Sequence, residues 1–108
     1  MGKGYVMDSA VCALFDMGFV TRTPAVMVAL FRSNVTEHSL VERHQCGDFG
    51  DVTEARCALN RQAAVSGGEV VSAYRLSHEA SVVQVVTSAD RSTTHLRLLS
   101  EAPQDSAR

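Results

Sequence analysis

The chain has 108 residues, of which 45% are hydrophobic and 20% charged, with a net charge of -2 and no Trp. That suits one small domain with one modest core, built mainly from Val, Leu, Ala and Met, and excludes a disordered or collagen-like polymer. The Arg residues are scattered without a block of like charge, so charge alone gives no argument for nucleic acid.

From the N-terminus, Val11 to Val20 is apolar but is interrupted by Asp16 and is too short to cross a bilayer. Met7 offers an alternative start. Phe15, Met17 and Phe19 recur at period two, which predicts a first strand over 15–21. Thr23-Pro24 is a helix start: Thr can cap, and Pro at the first helical position gives up no needed N–H. The helix carries Val26, Met27, Leu30 and Phe31 and stops at Asn34. Thr36 caps a second helix, with Val35 and Leu40 as a hydrophobic staple and Gly47 as its stop. Asp51-Val52-Thr53-Glu54 has the spacing of a capping box with Asp51 as the cap, and opens a third helix running to about Val65. Gly67-Gly68 breaks it. The period then falls to two. Three strands are predicted around Val70–Leu76, Val82–Thr87 and Thr94–Leu99, joined by short polar connections. The expected fold class is α+β, ordered β-α-α-α-β-β-β: three helices, then a three-stranded antiparallel meander, with the N-terminal segment as a possible fourth strand. Residues 11–100 are expected to form a single domain with flexible termini at 1–10 and 101–108.

Chemistry-bearing motifs are few. There is no G-x-S-x-G elbow, phosphate loop or dinucleotide fingerprint, so no catalytic residue and no cofactor is expected. Three cysteines, Cys12, Cys46 and Cys57, make an odd count without C-x-x-C. That favours reduced thiols in a cytoplasmic protein over a disulfide framework, and no zinc site. Gly47-Asp48-Phe49-Gly50-Asp51 reads as a turn between helices, anchored by Phe49. Asp90 suits an Asx-turn, and Arg91 can pair with Asp48 or Asp51. The other reading of Arg91 is a surface anchor for a partner. His44 is expected as a core histidine with a backbone partner. Asn60 should bond the Gly47–Asp51 loop or the sheet, and Tyr74 should pack in the core with its hydroxyl satisfied.

Two segments carry a resemblance. His44-Gln45-Cys46-Gly47-Asp48-Phe49-Gly50-Asp51 and Thr87-Ser88-Ala89-Asp90-Arg91-Ser92-Thr93-Thr94 resemble H-x-x-G-D-W-G-D and T-E-A-D-R-S-x-T-T, with Asn60 and Ser72-Ala73-Tyr74 between them. These motifs mark a family of small proteins carried on bacterial plasmids, phages and integrative elements. The likeness spans Phe15 to Leu99. Phe49 stands in place of the usual Trp, Ser88 in place of Glu, and the ending L-L-P-x-E-Y is replaced by Leu98-Leu99-Ser100-Glu101-Ala102-Pro103. Such a setting implies a non-enzymatic protein that acts by protein binding. The leading expectation is an inhibitor of a host defence complex, an anti-CRISPR or anti-restriction protein. The alternative is a nucleic-acid-associated regulator using a patch drawn from Arg56, Arg61, Arg75, Arg91 and Arg97. The expected partner-binding residues are Arg75, Glu79, Arg91, His95 and Arg97, in a monomer or homodimer without a membrane.

Overall fold

Three helices among the described residues each begin on a threonine. In the computed structural model, which describes residues 12–76 and 81–103, Thr23 Oγ1 accepts from Val26 N, Thr36 Oγ1 from Ser39 N and Thr53 Oγ1 from Arg56 N. These caps open α1 (Pro24–Ser33), α2 (Glu37–Gln45) and α3 (Glu54–Ser66). Each satisfies one of the N–H groups that a helix start leaves without a partner. Asn34 ends α1 in the left-handed region at φ 57°. The cap of α3 corrects the expectation from sequence: Thr53 caps the helix, and Asp51 is used on a neighbouring strand.

The helices cover one face of a four-stranded sheet, confirming an α+β fold. The strands are β1 (Phe19–Arg22), β2 (Val70–Leu76), β3 (Ser81–Thr87) and β4 (Thr93–Leu98), in the order β1-β4-β3-β2. The last three form the antiparallel meander, and β1 is the fourth strand. It runs parallel to β4, with Phe19 opposite Thr93 and Arg22 opposite Leu96. It is also shorter than predicted, because Phe15 and Met17 are not paired in the sheet. Phe15 is buried with Phe49, Ala63 and Val70, and Met17 packs against this cluster. Their period-two spacing reflects two anchors on irregular backbone. A larger cluster joins Val26, Leu30 and Leu40 of the helices to Tyr74, Leu76, Val83, Val85 and Leu96 of the sheet.

Two local expectations are overturned. Cys12 and Cys46 are joined as a disulfide, which leaves Cys57, half-buried, as the free thiol. The odd count concealed a pair because Cys12 returns to the C-cap of α2, 34 residues further along the chain. Closing a loop of that length stabilises by about 3–4 kcal/mol on the chain-entropy account. Reduction by dithiothreitol is therefore expected to lower the urea midpoint, and a Cys12→Ser variant should match the reduced protein. A reduced wild type that still exceeds the variant would contradict this. The second correction concerns Glu101, expected in the flexible tail. Its carboxylate accepts from Leu98 N and from the Thr23 hydroxyl, both at 2.8 Å, and Leu99–Glu101 forms a 3-10 turn.

Candidate functional site

The Gly47–Asp51 motif guards one edge of the sheet. β2 is an edge strand, and its outward backbone groups at Val71, Ala73 and Arg75 would otherwise template a further strand. Asn60, fully buried, donates Nδ2–H to Val71 O at 2.8 Å and accepts from Val71 N at 3.0 Å. Ala73 N donates to Phe49 O and Asp51 N donates to Ala73 O. Arg75 N donates to Asp51 Oδ2 at 3.0 Å. The loop comes this close only because position 50 is glycine: φ is +73° there, and a Cβ would overlap Ala73 O. Gly50→Ala is expected to cost at least about 2 kcal/mol in urea denaturation, from the strained φ and the displaced bridge together. A loss under half that would show that the loop yields freely.

Asp48 holds the other end of the motif. Its carboxylate accepts from Arg43 Nε at 2.7 Å, and this partner holds its pKa below the ordinary value. The Arg43 guanidinium lies 4.6 Å from the Tyr74 ring centroid, and the Tyr74 hydroxyl donates to Asp48 O at 2.6 Å. Burial pushes the Tyr74 pKa up to about 12. Asp48 and Asp51 thus hold different partners, the Arg43 guanidinium and the Arg75 backbone N–H.

Arg91 corrects a further expectation. It pairs with neither Asp48 nor Asp51. Its Nη1 donates to Gly68 O at 2.6 Å and Ser88 O at 3.0 Å, and its Nη2 to Ala63 O at 2.7 Å. The guanidinium carbon lies 5.2 Å from the Phe15 ring centroid. Carbonyls at the end of α3 attract a cation through the helix dipole. The backbone delivers the side chain there from φ 63°, in a turn where Asp90 Oδ1 accepts from the Ser88 and Ser92 hydroxyls. Those hydrogen bonds, Ser92 foremost, lower the Asp90 pKa to about 2. Arg91, half-buried, therefore clamps the end of α3 to the β3–β4 turn.

His44 is fully buried, and its partners are side chains, not the expected backbone. Nδ1 lies 2.6 Å from Ser72 Oγ, and Nε2 lies 2.8 Å from Thr87 Oγ1. The direction of the chain follows from its far end. Thr94 Oγ1 donates to Met17 O at 2.6 Å, so it must accept from Thr87 Oγ1 at 2.7 Å. Thr87 must then accept from His44 Nε2–H, and Nδ1 accepts from Ser72. The ring is neutral with its proton on Nε2. Burial, aided by the positive charge of Arg91, lowers its pKa to about 4. Both nitrogens are occupied. No group of three His, Cys, Asp or Glu among the described residues is placed to hold a metal.

The side of the sheet away from the helices carries the remaining candidates. Alternation puts Val70, Ser72, Tyr74 and Leu76 on the covered side of β2, and Val71, Ala73 and Arg75 on the other. Register then aligns Ala73 with Gln84 and Arg97, and Val71 with Val86 and His95. Arg75, His95 and Arg97 therefore share one face. His95 Nδ1 lies 2.7 Å from Thr21 Oγ1, and Arg97 Nε donates to Gln84 Oε1 at 2.8 Å. A depression of about 300 Å³ at the β2 side is lined by Val71 and Ala73, with the two cations Arg56 and Arg97 and the two carboxylates Asp51 and Glu69. Phe19, 72% exposed, lies on the same side of β1. Glu79 lies outside the described residues, as does the tail beyond Pro103. No helix among the described residues is long and apolar enough to cross a membrane.

Sequence reading missed the disulfide, the Thr53 cap and the direction of the His44 chain. Of these only the Thr53 cap had a local signal, a Thr immediately before the acidic first turn of α3. Comparison of the chain with protein-family models, with curated proteins and with solved structures finds no match.

Proposed function

We propose that the protein is a non-enzymatic binding protein of a mobile genetic element, acting in the cytoplasm to inhibit a host defence complex of the CRISPR or restriction type. The element and the target class rest on the two sequence motifs. The observation that carries the binding reading is the division of labour between residues. The motif side chains are used within the fold, whereas Arg75, His95 and Arg97 stand together on the side of the sheet that no helix among the described residues covers, the last two each bonded only to a neighbouring strand. Inhibition by occlusion needs such a surface and no reactive group.

Cytoplasm keeps thiols reduced, so the fold there must hold without the Cys12–Cys46 bond. Leu14 N donates to Gln45 O, Gln45 Nε2 to Phe15 O and Thr94 Oγ1 to Met17 O, contacts that keep the segment docked. The test is affinity recovery of the tagged protein from its bacterial host after nuclease treatment, read by mass spectrometry. Stoichiometric recovery of defence subunits supports the reading. Recovery that vanishes with nuclease sinks it in favour of the alternative, a nucleic-acid-associated regulator, which the same basic face also suits.

A further inference from the structure

We infer that the outer face of α1 associates with the α1 of a second copy of this chain, antiparallel across a two-fold axis, on a side of the molecule that the proposed function does not use. α1 buries Val26, Ala29 and Leu30 in the main core. Its opposite face carries Pro24, Met27, Val28 and Phe31, a second apolar stripe at i, i+3, i+4 and i+7. All four are exposed, Met27 at 55%, Val28 at 52% and Phe31 at 86%. A helix that is apolar all round belongs in an interior. The other two helices turn ordinary faces outward: His38 and Arg43 on α2, and Glu54, Arg61 and Gln62 beside Leu59 and Val65 on α3.

Charge names the occupant. The sequence of α1 has one charged residue, Arg32, in its last turn, and no acid in its first. The carboxylate at the opposite end of the helix belongs to Glu101, which is exposed and accepts from the hydroxyl of Thr23, the α1 cap. The bonds from Thr23 and from Leu98 N both end on Oε1, so Oε2 can accept from a guanidinium. His95 and Arg97 of the same chain add to the field on this carboxylate without a printed bond to it. An apolar stripe with a cation at one end and a carboxylate at the other matches a copy of itself turned end for end. Centred on Val28, such a pair sets Phe31 over Pro24 and Met27 of the second copy and brings each Arg32 to the other's Glu101 end. The helix dipoles oppose in the same arrangement. A parallel pair would instead put Arg32 beside Arg32. Met27, Val28 and Phe31 alone expose about 400 Å² per copy, so a pair that also covers Pro24, Ala25 and the Arg32 stem buries about 1,000 Å², the size of a weak but specific interface.

The test is sedimentation equilibrium of the full chain from about 1 μM to about 1 mM. The expected result is a reversible monomer–dimer equilibrium with a micromolar dissociation constant. Phe31→Glu should weaken it at least about tenfold by placing charge in the apolar centre. Arg32→Glu should weaken it as well, because each end then holds two carboxylates. Val65→Glu, at a position 90% exposed on α3, should change it less than about twofold. A second variant reads the geometry: with Val28 on the axis, Val28→Cys should form a covalent dimer under glutathione disulfide at least about ten times faster than Val65→Cys. A chain that stays monomeric throughout, equal effects of Phe31→Glu and Val65→Glu, or equal cross-linking at positions 28 and 65 would overturn the inference. Association that continues past the dimer would overturn the closed two-fold pair. A pure chain that stays monomeric while Phe31→Glu removes a different protein from host recovery would give the face another occupant and overturn it too.

Discussion

Lowering the pH from 6.5 to 4 is expected to cost the fold about 3 kcal/mol through His44 alone. The folded ring has a pKa of about 4, against 6.5 for a free imidazole. Above 6.5 neither state is protonated and the contribution is complete. As the pH falls below 6.5 the unfolded chain takes up a proton that the folded ring refuses, so stability declines until the folded pKa is passed, and then levels off. Protonation also places a hydrogen on Nδ1, facing Ser72 Oγ at 2.6 Å, and reverses the end of a directional chain. The carboxylates act in a lower window. Asp48, Asp90 and Glu101 all titrate below their ordinary values, so the stability they supply is complete above the ordinary carboxylate range and is lost as the pH falls from there, starting at the lower end of the histidine window. Urea denaturation at closely spaced pH values separates the two. His44→Gln should be less stable at pH 7 yet nearly flat between 6.5 and 4. A wild-type profile that is equally flat there would remove the buried neutral ring from the account.

Arg91→Ala is expected to cost about 3–5 kcal/mol, the loss typical of breaking a half-buried charged network. Truncation removes a side-chain donor from the carbonyls of Gly68, Ala63 and Ser88, the last two of which keep a backbone donor, and the cation from the face of Phe15. Arg91→Lys should recover only part, because an ammonium lacks the planar fork that reaches carbonyls on two separate segments at once. The left-handed backbone at position 91 sharpens the test. Arg91→Gly loses the clamp but relieves that conformation, so it should rank above Arg91→Ala and still well below wild type. Arg91 also lowers the His44 pKa. The alanine variant should therefore show a smaller loss between pH 6.5 and 4 than wild type. If denaturation finds Arg91→Ala within about 1 kcal/mol of wild type, the guanidinium is not a clamp.

Much of the helical layer was legible because its signals are local. Thr23-Pro24, Asn34 and Thr36 act where the chain places them, since a cap needs only its own next turn. Asp51 was misread for the same reason: D-x-x-E satisfies the capping box by spacing alone, and only the tertiary structure reveals that its carboxylate serves Arg75 on another strand. The meander was legible from alternation, but the parallel pairing of β1 with β4 was not, because no local pattern states which strand a distant segment joins. Phe15 and Met17 alternate like strand residues while serving as anchors beneath α2 and α3. Arg91 and His44 lie at the same limit. Their residue types predicted partners, but the partners are carbonyls and hydroxyls that any sequence contains in number.

The most direct test of the division between architecture and working surface is host recovery with three proteins side by side: wild type, Arg75→Glu/Arg97→Glu and Asp48→Ala. The sheet-face variant is expected to keep its fold but lose the recovered subunits, while Asp48→Ala loses some stability and keeps them. Loss of the partner in Asp48→Ala at full occupancy of the folded state, with recovery intact in the sheet-face variant, would contradict it and make the Gly47–Asp51 loop the working surface.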